Sequence, residues 1–415
     1  MENIRIGCIT NIVCEKDTAS IKKIVKDCNI DLLVFPEMHD STADMSLDSL
    51  PEGQSDIIEY EMRWAKKIGC AIVVGVEDER DNIFNVFVNP NIKGNDTQSH
   101  IYIKHTMTSH SAFEWGNYAA LCDRIFQPFL FNGWRIGMTI CYDSNFPIFS
   151  RMYGEQGVDL IISNSWKNAN KSKWLKYHKV RSIENDCTSV VTMFRDKNTK
   201  ESNPLTYCFN NKGGLIEPEK CVEGIYVYEI IHGKGNAEKD EYFNQKESLN
   251  NNIDIRIPKY NIQKLLTKAN PVAKNILCYH QKNQNVIFCI INGNDILKPE
   301  KVLSLLYNKK LDSIDNKCFI LVNQHKHIAE KFFQTQLDTV LKVRAVENLC
   351  AVILESDNIC RCYQCTNYKT SQVVQSENGY FGIDLKRTHG PKHTGLHQNK
   401  RWSSNIEFLV KKITN

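Results

Sequence analysis

Three side chains in this 415-residue sequence could together run nucleophilic chemistry: a carboxylate, an ammonium and a thiol. Glu37 follows the apolar run LLVFP, Lys104 closes IYIK, and Cys141 closes WRIGMTIC. Each run reads as a buried strand, and strand ends in α/β folds project reactive groups into a common crevice. There a carboxylate can take the thiol proton as general base. The lysine can favour the thiolate and then hold the oxyanion of a tetrahedral intermediate. Taken singly, each residue has a duller reading: a solvated glutamate, a surface lysine, a small core cysteine. Their joint pattern is what points to chemistry.

The elements that must position them alternate through residues 1–232. Strands are expected at residues 4–10, 31–35, 70–76, 83–89, 100–104, 134–141, 158–163, 189–194, 205–210 and 224–231. Helices fit 19–28, 57–68, 146–153 and 173–185; in the first, Ile21, Ile24, Val25 and Cys28 share one face. This order predicts a layered α/β domain with sheets covered by helices. Hydrophobic residues at 42% and charged residues at 24% exclude disorder as the main state. No run of about 18 uncharged apolar residues occurs, so no membrane span is expected. The start MENIRIGCIT has no basic stretch before a long apolar one, so no secretory signal is expected. The sixteen cysteines are then expected to be reduced thiols in a cytoplasmic protein. The formal charge is +4, and residues 386–415 carry seven basic side chains against one acid. The body is therefore near neutral and bears no nucleic-acid footprint.

The motifs FPEM at 35–38, YIKHT at 102–106, GMTICYD at 137–143 and RSIEN at 181–185 resemble those of the nitrilase, or carbon–nitrogen hydrolase, superfamily, in order and in spacing. The resemblance covers residues 3–232. It implies an αββα sandwich, a homodimer or higher homo-oligomer, and a mechanism without cofactor or metal. It also implies a Glu–Lys–Cys triad, with Glu37 as general base, Lys104 stabilising the intermediate and Cys141 as nucleophile. The candidate for a further active-site glutamate is Glu114, in FEWGN. The backbone amide of Tyr142 would help bind the oxyanion, and Trp166, Asn168 and Trp174 would line the pocket. Tyr142 and Asp143 stand where true nitrilases usually place Trp–Glu, which looks more like the amidase and carbamoylase branches. Ile148 departs from the acidic residue that often follows the proline of that motif. The expected activity is hydrolysis of a small-molecule amide or carbamoyl group through a Cys thioester. Acyl or ammonia transfer by the same chemistry, and a non-catalytic binding scaffold, are the alternatives.

Residues 233–254 are polar and read as a linker. A second αβ-type segment follows at 255–385. Within it KVRAVENLC at 342–350 matches KVRSIENDC at 179–187 in six of nine positions, which suggests an internal repeat. The strand NVIFCIING would then repeat the nucleophile strand, with Ile291 in the place of Cys141. No strand ending in Pro–Glu and no Tyr-x-Lys precedes it, so a partial nitrilase-like unit without a triad is expected. Cys360, Cys362 and Cys365, and His389, His393 and His397, have spacings that can hold zinc. A cysteine-rich strand and a solvated basic tail at 386–415 are the plainer reading.

Overall fold

The computed structural model of the chain describes residues 3–10, 17–37, 40–43, 54–78, 83–106, 126–166, 171–194, 206–232, 255–258, 266–281, 284–308, 316–323, 334–355, 360–366, 370–374, 380–383 and 409–413. The chain divides into two compact units, Met1–Glu238 and Lys239–Asn415.

The first unit opens with strand β1 (Ile4–Ile9), helix α1 (Thr18–Cys28), β2 (Leu32–Val34), β3 (Asp40–Ala43) and α2 (Gln54–Ile68). The α1 face Ile21, Ile24, Val25 and Cys28 is buried, as its spacing predicts, and Asn29 ends the helix in a left-handed conformation. Strands β4 (Ala71–Asp78), β5 (Ile83–Val88) and β6 (Ser99–Ile103) follow. Next come β7 (Phe129–Phe131), β8 (Trp134–Ile140), α3 (Pro147–Gly154), β9 (Leu160–Ser165) and α4 (Lys171–Glu184). The unit closes with β10 (Thr188–Met193), β11 (Thr206–Phe209), β12 (Leu215–Ile216), β13 (Lys220–Val222) and β14 (Ile225–Ile230). The sequence pattern missed β3, β7, β12 and β13, which are short pieces of two to four residues and too brief for a period to show.

These elements build two sheets. One runs β13-β14-β1-β2-β4-β5-β6 with β3 beside β4, and the other β12-β11-β10-β9-β8-β7. The sheets pack face to face through β1 against β10 and through β5 and β6 against β8. Helix α2 packs on the first sheet with α1 against it, and α3 and α4 pack on the second sheet. The unit is thus an αββα sandwich. The parallel strands β1, β2 and β4 are buried on both faces, which is why LLV is a continuous apolar run. Gly137 lets α3 approach β8 closely, since a Cβ there would sit 2.6 Å from the Tyr153 ring.

The second unit contains β15 (Ile255–Pro258), β16 (Asn270–Ala273), β17 (Ile276–Gln281), β18 (Gln284–Asn292), α5 (Pro299–Leu306), β19 (Asn316–Asn323) and α6 (Gln334–Glu347). Strands β20 (Ala351–Glu355), β21 (Cys360–Thr366), β22 (Thr370–Val374) and β23 (Tyr380–Ile383) complete it. A seven-stranded sheet runs β16-β17-β18-β19-β20-β21-β22, and β15 pairs with β23. Its middle strands β18, β19 and β20 are parallel, with β17 and β21 antiparallel on either side. The six-stranded sheet of the first unit has the same arrangement around β8, β9 and β10.

Local geometry follows suit. Strand β8 runs into the 3₁₀ turn Cys141–Asn145 and β18 into Gly293–Leu297, each followed by a helix that starts with proline. Arg181 donates from Nε to Ser144 O (3.2 Å) and pairs with Glu184 at 2.6 Å. Arg344 donates from Nε to Ile296 O (2.9 Å) and pairs with Glu347 at 2.5 Å. Gly293 is the first residue of its 3₁₀ turn, as Cys141 is of its own. The sequence expectation that Ile291 takes that place is corrected, because Ile291 lies inside β18 with its side chain buried. The tail reading changes too: residues 409–413 form a helical turn with Leu409 and Val410 buried. No helix among the described residues is long and apolar enough to cross a membrane.

Three buried histidines of the first unit are held neutral. Burial lowers His100 to about 4, and lowers His105 and His178 to about 3. Unfolded, each titrates near 6.5. Their contribution to stability is therefore complete above that value and is lost as pH falls toward 4. Asp143, raised by burial to about 6, opposes this with the opposite sign, one group against three. We predict a lower urea midpoint at pH 5.5 than at pH 7.5, each histidine costing about 1.4 kcal/mol over that interval. Equal midpoints would contradict the assignment.

Candidate active site

Strands β2, β6, β8 and β9 deliver their C-terminal ends to one region between the two sheets. Pro36 stops the chain from continuing β2 as a ladder strand, and Glu37 follows it. Glu37 is only 1% exposed and Lys104 only 4%. Lys104 Nζ donates to Glu37 Oε1 at 2.5 Å, and the backbone N–H of Trp166 donates to Oε2 at 2.8 Å. The carboxylate is thus held from both sides, by the ammonium of one sheet and a backbone amide of the other. Burying such an ion pair is tolerable only when its remaining lone pairs find donors, and here they do.

Cys141 lies one residue beyond β8, as the first residue of the 3₁₀ turn, with φ +42°. Positive φ is uncommon for a residue with a Cβ. This conformation lifts the thiol out of the strand's in–out alternation and turns it toward the carboxylate. Burial raises the thiol pKa, and the neighbouring Glu37 charge and hydrogen bond raise it further, while Lys104 and a bond to the Trp166 backbone pull the other way. The resting group is therefore a thiol hydrogen-bonded to Glu37, not a free thiolate. For Lys104, burial alone would lower the pKa, but Glu37, Cys141 and Asp143 together raise it, and it stays charged. The first amides of a helical turn lack intrahelical partners, which leaves the N–H of Tyr142 suited to an oxyanion formed at Cys141.

The structure brings Glu37, Lys104, Cys141, Tyr142 and Trp166 together. Trp166 takes part through its backbone, while its indole stacks on Phe194 at 4.5 Å. Trp174 is buried on α4 and stacks on His178 at 5.6 Å. Glu114 and Asn168 lie outside the described residues. Sequence reasoning missed a second set around the buried carboxylate of Asp143. It accepts hydrogen bonds from Tyr102 OH (2.9 Å), Thr106 Oγ1 (2.7 Å) and the backbone N–H of His105 (3.2 Å). These residues sit inside the motifs YIKHT and ICYD, beside the ones singled out. Among the described residues no three His, Cys, Asp or Glu side chains cluster so as to hold a metal ion. Cys362 and Cys365 lie on β21 at an odd spacing, which sends them to opposite faces of the sheet. His389, His393 and His397 lie outside the described residues.

Residues 15–196 match the model of the carbon-nitrogen hydrolase family. The curated relatives it matches include the omega-amidases YafV of Escherichia coli, 26% identical over 161 residues, and of Yersinia enterocolitica, 29% identical over 161 residues. Each match spans 37% of this chain and 58% of the relative. The chain thus covers under two thirds of the length of those relatives. Similar solved structures include a carbon-nitrogen hydrolase from Helicobacter pylori, 14% identical with a TM-score of 0.41, over 55% of this chain and 90% of that one. An amidase from Nesterenkonia is 16% identical with a TM-score of 0.40, over the same shares.

The buried pair carries a stability prediction. Lys104→Met leaves the Glu37 carboxylate uncompensated and should cost about 3–5 kcal/mol of unfolding free energy. Adding Glu37→Gln should return a large part of that loss. Denaturant titration of both variants tests this, and simple additivity of the two losses would contradict it.

Proposed function

We propose that this protein is a carbon–nitrogen hydrolase that cleaves the C–N bond of a small-molecule amide through a thioester on Cys141. The observation that carries the reading is the Glu37 carboxylate, bonded to Lys104 at 2.5 Å and to the Trp166 amide at 2.8 Å, with Cys141 beside it on a turn. Glu37 takes the thiol proton as Sγ attacks the carbonyl carbon. The oxyanion that forms is held by Lys104 and the Tyr142 N–H. The C–N bond then breaks, and the leaving amine or ammonia takes the proton from Glu37. Water, deprotonated by Glu37, attacks the thioester; the acid leaves and the thiol regains its proton. A base poised beside a thiol that is protonated at rest suits proton transfer during the attack better than a preformed thiolate does.

An amide is favoured over a nitrile because Tyr142 and Asp143 follow the nucleophile. The omega-amidases among its relatives make ω-amido acids the first substrates to try, ahead of carbamoyl compounds. The second unit we read as a copy of the nucleophile-bearing half that has lost its nucleophile. The shared strand order, the paired 3₁₀ turns and the matching Arg181–Glu184 and Arg344–Glu347 clasps support this. With Gly293 at the turn, it has no thiol to contribute there.

Ammonia release tests the proposal, with wild type and Cys141→Ala assayed on aliphatic amides, ω-amido acids, glutamine, N-carbamoyl amino acids and nitriles. Release by wild type, with at least a ~10³-fold loss in the variant, is expected. Release by both would overturn the assignment of the nucleophile. Ammonia release accompanied by acylation of an added amine, in place of free acid, would favour a transferase.

A further inference from the structure

We propose that Asp143 is a positioning residue that clamps the Lys104 strand end onto the nucleophile turn. The inference rests on the reading of Cys141 as nucleophile given above. Lys104 and Cys141 belong to different sheets, on β6 and after β8, so no ladder hydrogen bond fixes one against the other. Asp143 lies two residues past Cys141 in the same turn and is 0% exposed. Among the described residues, every hydrogen bond that its carboxylate accepts comes from the segment flanking Lys104. Tyr102 OH donates to Oδ2, Thr106 Oγ1 donates to Oδ1, and the His105 N–H reaches both oxygens, at 3.2 and 3.4 Å. Two of these donors stand two residues to either side of Lys104, and the third directly follows it.

Three features make this more than generic packing. An ionised carboxylate in a dry site is costly unless donors surround it, and here the donors come from the opposite sheet. The carboxylate also lies close enough to Lys104 to favour its charged form. The second unit supplies an internal comparison. Asp295 occupies the matching place in its 3₁₀ turn, and its backbone O accepts the Lys298 N–H at 3.0 Å, just as Asp143 O accepts Phe146 N–H at 2.9 Å. The capping use of the aspartate backbone is common to both turns. Asp295 is only half-buried, and no hydrogen bond to its carboxylate is recorded among the described residues. The carboxylate clamp thus goes with the unit that has a thiol and a lysine to align.

Asp143→Asn keeps the size and the backbone cap but replaces one acceptor oxygen by a donor facing donors. Two readouts separate positioning from simple support: the rate of Cys141 alkylation by iodoacetamide, and kcat and KM on whichever amide the wild type hydrolyses. Misplacement by about an ångström costs on the order of 100-fold in rate. We expect losses of that size in kcat and in alkylation, with KM changed less than about threefold. Asp143→Glu should not rescue, because the longer arm displaces the turn. If Asp143→Asn does not fold, Tyr102→Phe and Thr106→Val, each deleting one donor, carry the test, with ~5- to 10-fold losses expected. Folded variants that keep wild-type alkylation and kcat, or that change KM alone, would overturn the proposal. The alkylation arm needs no substrate, so it stands even if the amide reading fails.

Discussion

A carboxylate buried between two sheets is the constraint on which the first unit depends. Glu37 is almost wholly removed from water, and an unpaired carboxylate there would neutralise or unfold its surroundings. Its two oxygens find donors because Lys104 comes from the far edge of its own sheet and the Trp166 N–H from the facing one. Neither donor is a sequence neighbour. The αββα packing has to be right for the ion pair to exist, and Cys141 meets the Glu37 carboxylate only when the pair is in place.

The registration of the two sheets is secured by further polar ties through the core. Asn164 Nδ2 donates to Phe35 O at 2.5 Å, Asn85 Nδ2 donates to Asn164 Oδ1 at 3.2 Å, and Thr192 Oγ1 donates to Ile9 O at 2.8 Å. An apolar interface alone would tolerate slippage by a fraction of a residue, but directional bonds between buried groups do not. The Phe35 carbonyl lies two residues before Glu37, so the Asn164 bond holds the backbone just ahead of that carboxylate. On the other flank, Arg181 holds the Ser144 carbonyl and so pins the turn that carries Cys141. The segment before Glu37 and the turn that carries Cys141 are thus each tied to a buried side chain of another element.

Much of this was legible in the sequence, for identifiable reasons. The parallel strands are continuous apolar runs, so β2, β4, β8 and β9 stood out. FPEM, YIKHT and ICYD placed Glu37, Lys104 and Cys141 at strand ends. What escaped is what depends on distance in space. Asp143 looked like a marker of family branch, since nothing in a linear motif says that its carboxylate faces a strand some forty residues earlier. The positive φ of Cys141 is set by the turn and not by its residue type. Ile291 was set opposite Cys141 by strand register alone, and nothing in the apolar run NVIFCIING marks where the strand gives way to the turn that starts at Gly293. The buried turn at 409–413 escaped because a basic tail composition outweighed its short apolar pair.

The central claim is that Cys141 is the acyl-accepting group of a buried carboxylate–ammonium pair. Intact-mass spectrometry after brief exposure to a small activated ester, with peptide mapping, tests it most directly. The account predicts a single acyl adduct on Cys141, absent from Cys141→Ala and much slower to form in Glu37→Gln. An adduct on the exposed Cys221 with Cys141 left unmodified, or equal acylation with and without the Glu37 carboxylate, would contradict it.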